Sequence, residues 1–158
     1  MSVSKDEFRS ALGRFASGVT IVTTRDASGK LHGITVSAFC SVSLEPPLVL
    51  VCIEKTTGSH FAFTESSSFV VNLLAADQQH LSDRFASRLP DKFDTVKYHP
   101  GIDDLPVLDG ALANLECRLK NSHDAGDHTI FIGQIERATV RDGEPLVYFH
   151  GSYRELEN

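Results

Sequence analysis

Several features that assign a sequence to a membrane or secreted class are missing here. There is no run of about 18 apolar residues, which a membrane-spanning helix requires. The N-terminal residues 1–7 are polar and acidic, whereas a signal peptide begins with a cationic segment and continues with an apolar one. We therefore expect a cytoplasmic protein that makes no contact with a membrane.

Cysteine and positive charge are also scarce. The three cysteines, Cys40, Cys52 and Cys117, are far apart and form no C-x-x-C pair, which argues against a disulfide framework and against a zinc site. The formal net charge of −6 would repel a phosphate backbone, and no basic stripe offsets it locally. We expect reduced thiols, no bound metal and no nucleic-acid partner.

The familiar nucleotide-binding and catalytic motifs are absent as well. The sequence contains no G-x-G-x-x-G, no P-loop, no G-x-S-x-G elbow and no H-E-x-x-H. A nucleotide that binds here must therefore do so in another manner than in a Rossmann fold or a P-loop protein.

Short β-branched and apolar segments, separated by turn residues, recur along the chain. A capping box at Ser4 and Glu7 predicts a first helix, which Gly18 should end. Further short helices are predicted after Ser59 and over 77–88, and 89–110 is expected to be an irregular surface excursion. The predicted strands are 19–24, 31–39, 48–53, 68–74, 112–120, 129–140 and 146–149. Residues 1–158 are expected to form one mainly β domain, an antiparallel barrel with a few short helices.

The segment from Gly33 to Phe39 is the first candidate ligand-binding segment. Small and hydroxylated side chains follow a glycine on a predicted strand, which leaves the backbone open to a flat ligand. Thr35 and Ser37 add hydroxyl donors and acceptors. The alternative is an ordinary amphipathic edge strand.

A second candidate, Glu54 to His60, follows a predicted buried strand and opens a predicted helix. Lys55, three hydroxyls and the N–H groups of the helix offer donors for a phosphate. The alternative is that Thr56, Thr57 and Ser59 only cap the helix.

The third candidate is the turn that contains His123, Asp124, Asp127 and His128. A metal site is one interpretation, but no further ligands follow at a recognisable spacing. His128 at the start of a strand, directed into a cleft as a hydrogen-bond donor or proton relay, is the functional alternative. The alternative without a ligand-binding role is a turn histidine that forms hydrogen bonds with the adjacent aspartates.

Seven segments, in order, resemble the flavin reductase-like family of short NAD(P)H:flavin oxidoreductases that serve two-component monooxygenases. The resemblance covers nearly the whole chain. Its segments are Phe15–Thr24, Gly33–Phe39, Ser41–Leu50, Asp83–Ala86, Pro106–Ala111, Gly126–Gly133 and Tyr148–Tyr153.

The resemblance implies an FMN-binding split barrel of antiparallel Greek-key strands that works as a homodimer. It further implies hydride transfer from NADH or NADPH to FMN or FAD, and delivery of the reduced flavin to a flavin-dependent monooxygenase. Two other functions stay open: a non-catalytic flavin- or haem-binding sensor or carrier on the same barrel, and a pyridoxal-phosphate-type oxidase. The oxidase would need a stronger cationic clamp than Lys55 and Arg84 offer.

The resemblance also assigns the site residues. Those implied for the flavin are Thr35, Val36, Ser37, Ala38, Cys52, Ile53, Glu54, Lys55, Ser59, His60, Arg84 and Phe85. Those implied for the nicotinamide side are Ser17, His128, Tyr148, His150, Gly151, Ser152 and Tyr153. His128 is the predicted catalytic residue, and Arg84 with Phe85 is expected to close over the flavin tail.

Two departures from the family pattern affect these expectations. Ala38 stands where many relatives carry a second serine, which removes one hydroxyl from the flavin segment. The C-terminal segment around His150 replaces one that often contains arginines, and arginine would favour the extra phosphate of NADPH.

Overall fold

The computed structural model of the chain describes residues 2–157 and consists mainly of antiparallel strands. Its α-helices are α1 (Lys5–Leu12), α2 (His60–Glu65) and α3 (Gln79–Ala86). Two single 3-10 turns, Ala76–Gln78 and Ile102–Asp104, accompany them. No helix within residues 2–157 has the length and apolar character needed to cross a membrane.

Most strands have two to seven residues, and two strands of 13 residues form a hairpin. In chain order they are β1 (Ser17–Gly18), β2 (Thr20–Arg25), β3 (Leu31–Val36), β4 (Phe39–Ser43), β5 (Leu48–Glu54), β6 (Ser68–Leu73), β7 (Tyr98–Pro100), β8 (Pro106–Leu108), β9 (Ala113–Ala125), β10 (His128–Val140), β11 (Val147–Phe149) and β12 (Ser152–Arg154).

Seven strands form one antiparallel sheet in the order β3-β2-β6-β9-β10-β5-β4. Its two edge strands, β3 and β4, are consecutive in the chain and are separated only by Ser37 and Ala38. The sheet therefore curls until its edges meet, and the amide of Cys52 on β5 donates to the carbonyl of Ala38 at 3.0 Å. This arrangement is a split barrel and confirms the predicted fold class.

The side chains of β2 and β6 are buried on both faces because apolar clusters lie on both sides of the sheet. One cluster fills the barrel; its largest fully buried members include Val22, Val51, Ile53, Val71 and Phe131. A second cluster lies between the barrel and α3 and contains Val19, Ile21, Leu74, Leu81, Phe85, Leu108 and Leu146. Each such side chain stabilises the fold by about 1.5–3 kcal/mol relative to an exposed one.

The N-terminal helix is shorter than predicted. Its capping box at Ser4 and Glu7 is present, but α1 ends at Leu12, not at Gly18. Ser17 and Gly18 instead form β1, which pairs with β11 in a small sheet ordered β1-β11-β12. Strand pairing with the C-terminal segment satisfies the backbone at these residues, so it prevails over local helical spacing.

Two further expectations need correction. Residues 89–110 are not only a surface excursion, because β8 is buried and the amide of Leu108 donates to Oδ1 of Asn72 at 3.0 Å. The hairpin of β9 and β10 extends through the predicted acidic turn, leaving only Gly126 and Asp127 between the strands. His128 is the first residue of β10, as the sequence predicts.

Candidate active site

The connection between β3 and β4 lies where three elements meet. Ala38 is bonded to Cys52 of β5, as described above. On the other side, Oγ1 of Thr35 donates to the carbonyl of Ser82 in α3 at 2.6 Å. The segment from Thr35 to Ala38 is thus held between β5 and α3, which brings two of the predicted flavin-binding segments together.

A cleft of about 890 Å³ opens beside this connection. Its walls are formed by residues 30–35 of β3 and the preceding turn, by Glu54 with residues 56–59, and by residues 85–94 at the end of α3 and in the loop that follows. Ligand sites for drug-sized molecules span about 300–1,000 Å³, so a nucleotide fits this volume. Hereafter "the cleft" means this cavity.

Among the residues predicted to bind flavin, Thr35, Glu54, Ser59 and Phe85 line the cleft. Val36 and Ile53 are 5% and 1% exposed and point into the barrel core, so they can offer a ligand only main-chain atoms. Ser37 and Ala38 are exposed, whereas Cys52 is half-buried. Burial, assisted by the nearby Cys40, raises the pKa of the Cys52 thiol and keeps it neutral.

The predicted phosphate donors have partners that the sequence did not indicate. Nζ of Lys55 forms an ion pair with Asp124, and Thr57 donates its hydroxyl to the carbonyl of Glu54 at 3.0 Å. Ser59 stands at the start of α2 but its side chain does not cap the helix. The capping alternative is therefore wrong for Thr57 and Ser59.

His60, the last member of the second segment, is turned toward β10. Its Nε2 lies 2.8 Å from Oγ1 of Thr129, and its ring centroid lies 6.0 Å from that of Phe131. His60 is not among the residues that line the cleft.

Arg84 and Phe85, which are expected to close over the flavin tail, lie in the last turn of α3. Arg84 donates to the main-chain carbonyls of Lys92 and Asp91 at 2.6 and 2.9 Å, so it anchors the loop that forms one wall of the cleft. Phe85 is fully buried, and a Cβ built on Gly33 would lie only 2.6 Å from its ring. The absence of a side chain at Gly33 thus leaves room for the ring of Phe85, and both residues line the cleft.

Lys92 is a cleft residue that the sequence analysis did not identify. Its half-buried ammonium donates to the carbonyls of Phe85 and Gly33 at 3.0 and 3.3 Å, and burial lowers its pKa. The sequence signal for this residue was the group of charged side chains within 88–94, around Pro90, in the segment predicted to be irregular.

The predicted nicotinamide-side residues fall into two groups. Ser17 pairs with Tyr148, and Tyr148 pairs with Tyr153 across a hairpin whose turn is His150 and Gly151. The phenol of Tyr153 lies 2.6 Å from Oγ of Ser82 and 3.1 Å from Oδ1 of Asp83, which fixes the hairpin to α3.

His128 stands apart from this hairpin. It pairs with Glu54 across β5 and β10, and its Nδ1 lies 2.7 Å from Oδ1 of Asp127. This hydrogen bond and the charge of the imidazole lower the pKa of Asp127. In the described part of the chain no hydrogen bond joins His128 to residues 148–153, and no cluster of three or more His, Cys, Asp or Glu side chains has metal-binding geometry.

Comparison with known proteins identifies the family. A family model described as a flavin reductase like domain matches residues 12–157. The chain therefore belongs to the flavin reductase-like family.

Individual relatives extend over most of the chain. FMN reductase (NADH) SmoA of Agrobacterium fabrum is 46% identical over 146 residues, which cover 92% of this chain and 83% of that protein. The reductase subunit HsaB of a flavin-dependent monooxygenase from Rhodococcus jostii is 40% identical over 99% of this chain and 80% of its own length. Among solved structures, NADH:FAD oxidoreductase SgcE6 of Streptomyces globisporus C-1027, in complex with NAD and FAD fragments, has a TM-score of 0.92 at 36% identity and covers 98% of this chain and 93% of that chain.

Proposed function

We propose that this protein is an NAD(P)H:flavin oxidoreductase that reduces FMN or FAD with NADH or NADPH and passes the reduced flavin to a partner monooxygenase. One structural observation carries the proposal. The segment from Thr35 to Ala38 joins β5 to α3 beside a cleft of nucleotide size, and Ser82 of α3 joins the same segment to the C-terminal hairpin. Relatives named FMN reductase (NADH) and monooxygenase reductase subunit support the reaction.

The lining of the cleft suits a phosphorylated aromatic ligand. Thr56 and Ser59 provide hydroxyl groups, while Lys30, Arg88 and Lys92 provide positive charge. The exposed Ser37 and Ala38, between β3 and β4, lie next to Thr35 of the cleft and leave the main chain there accessible to one side of a ring system.

The reaction converts NADH, one proton and oxidised flavin into NAD⁺ and reduced flavin, and the two cofactors supply the redox chemistry when bound. The protein would contribute by holding the two rings close enough for direct hydride transfer, a separation of about 3–3.5 Å. We propose that Nε2 of His128 orients the nicotinamide or relays the proton, because Nδ1 is bonded to Asp127.

We also propose that the protein is a homodimer. Large apolar side chains are exposed in the single chain, including Leu44 at 92%, Phe15 at 78% and Val140 at 78%. Burial of such side chains against a second copy would remove apolar surface from water.

A cytoplasmic location is part of the proposal as well. Cys40, Cys52 and Cys117 are free thiols, and Cys40 is exposed. Free exposed thiols are typical of a reducing compartment.

The test is NADH consumption by purified protein with FMN, FAD and riboflavin supplied in turn, followed by the absorbance of reduced nicotinamide. Consumption that depends on both protein and flavin supports the proposal. Flavin binding without consumption would instead identify a non-catalytic carrier or sensor, and the absence of both would exclude any flavin function.

A further inference from the structure

Asp26, His32 and Ser59 form a continuous hydrogen-bonded chain that ends at the cleft. Nε2 of His32 lies 2.8 Å from Oδ2 of Asp26, and Nδ1 of His32 lies 3.1 Å from Oγ of Ser59. The side chains of His32 and Asp26 are only 9% and 8% exposed. The ring of Phe61 packs edge-on against the imidazole at 5.1 Å, so the histidine is held in one orientation.

The hydrogen bonds to Asp26 determine which atoms donate and which accept between Asp26, His32 and Ser59. Oδ1 of Asp26 accepts from the amide and hydroxyl of Ser28 and from the amide of Lys30, at 2.9, 2.6 and 3.1 Å. The hydrogen bonds from Ser28, followed by the one from His32, lower the pKa of Asp26, which is therefore ionised and can only accept. Nε2 of His32 must consequently carry a proton and donate it to Oδ2.

The state of Nδ1 then decides what Ser59 presents to the cleft. In neutral imidazole Nδ1 is an acceptor, so Ser59 donates its only hydroxyl proton to it and presents lone pairs to the cleft. In protonated imidazole Nδ1 is a donor, and the hydroxyl proton of Ser59 is free for a ligand. Only the second state provides a hydrogen bond to an anionic ligand.

The other charged groups near His32 do not favour one charge on the imidazole over the other. Glu65 on α2 is occupied by the amide of Ala27 at 3.0 Å. The charged residues that line the cleft are balanced in sign: Lys30, Arg88 and Lys92 against Glu54, Asp91 and Asp94. Asp26 is thus the carboxylate in direct contact with the imidazole.

We propose that His32 is a positioning residue that takes up one proton when the phosphate of a flavin nucleotide binds at Ser59. The proposal rests on the proposed function, because it assumes that flavin occupies the cleft. Proton uptake turns Ser59 into a donor toward the phosphate, and Asp26 balances the charge gained by His32. Riboflavin, which lacks the phosphate, would gain no hydrogen bond from this proton uptake.

The experiment measures proton uptake by calorimetric titration of the intact protein with FMN and with riboflavin, in buffers of different ionisation enthalpy. At about pH 8, where imidazole is generally uncharged, we expect uptake of about one proton with FMN and about none with riboflavin. Equal uptake with both flavins, or no uptake with either, overturns the inference.

Three variants test whether His32 is the group that takes up the proton. Ser59→Ala should weaken FMN binding about tenfold and abolish the uptake, since the donor to the phosphate is lost. His32→Gln should abolish the uptake, since the imidazole that gains the proton is removed. His32→Asn places an amide donor near the position of Nδ1, so it should keep FMN affinity without proton uptake. Uptake that persists in His32→Asn comes from the phosphate itself and contradicts the role of His32.

Riboflavin separates failure of this inference from failure of the proposed function. Turnover of riboflavin with NADH by the wild-type protein tests the proposed function by itself, and thermal denaturation shows whether the three variants fold. Normal turnover with equal proton uptake for both flavins removes only the role of His32. Absence of binding and turnover with every flavin removes the proposed function and this inference together.

Discussion

The hydroxyl oxygens of Ser82 and Tyr153 lie 2.6 Å apart, and this contact ties the C-terminal hairpin to α3. Ser82 is fully buried, and its carbonyl accepts from Oγ1 of Thr35 on β3. One helical residue therefore holds both the predicted flavin segment and the predicted nicotinamide segment. The geometry of the site depends on this junction.

Removal of one hydroxyl tests the junction. Tyr153→Phe deletes the hydrogen bonds to Ser82 and Asp83 and should lower the free energy of unfolding by about 1–2 kcal/mol. Tyr148→Phe, on the exposed partner of the same hairpin, is the matched control and should change it by less than about 0.5 kcal/mol. Urea denaturation gives both values; equal effects would show that the junction adds no stability.

The lowered pKa of Asp26 predicts an acid-dependent contribution to stability. Because its pKa is lower in the folded than in the unfolded state, the carboxylate stabilises the fold above the unfolded value of about 4. That contribution is lost as the pH falls toward the folded value. Asp26→Asn should therefore be less stable than wild type near neutrality, and the difference should shrink below about pH 4.

Denaturation curves over this pH range provide the measurement. Asp142→Asn, at an exposed loop position, is the control and should follow the wild-type pH dependence. A constant difference between wild type and Asp26→Asn at all pH values would contradict the assigned hydrogen bonds.

Close packing at Gly33 predicts a large effect of a small substitution. A Cβ at this position would lie 2.6 and 2.7 Å from ring atoms of Phe85 and 3.1 Å from Phe93. Gly33→Ala should lower the free energy of unfolding by about 1–3 kcal/mol through overpacking. Gly18→Ala, where no atom lies within 4 Å of the added Cβ, should be nearly neutral in the same thermal or chemical denaturation.

Removal of the His128 imidazole should affect hydride transfer more than flavin binding. His128→Ala should slow flavin reduction by about tenfold or more, as expected when a proton relay or orienting group is lost. The flavin dissociation constant should change little, because His128 does not line the cleft. Stopped-flow reduction and fluorescence titration separate the two quantities, and an unchanged reduction rate would remove the role.

Much of the fold was predictable, because strand positions depend on local residue pattern. The capping box at Ser4 and the strand start at His128 are local features and were predicted correctly. The end of α1 was not, since Ser17 and Gly18 pair with residues about 130 positions further along the chain. Local spacing carries no information about such a partner.

The site was less predictable for the same reason. The contact between His32 and Ser59 joins residues 27 positions apart, and neither is unusual in its own segment. Gly33 and Phe85 both line the cleft, but their packing against each other joins residues far apart in the chain and was not predicted. Residue type indicates which groups can bind a nucleotide, whereas the fold decides which of them reach the cleft.

The central claim is that this chain transfers a hydride directly from reduced nicotinamide to flavin. The most direct measurement is anaerobic stopped-flow mixing of the protein and FMN with NADH or with NADH deuterated at the transferred position. The account predicts bleaching of the flavin absorbance that requires the protein and is slowed by deuterium. Bleaching at the uncatalysed rate, with no dependence on the protein, would contradict it.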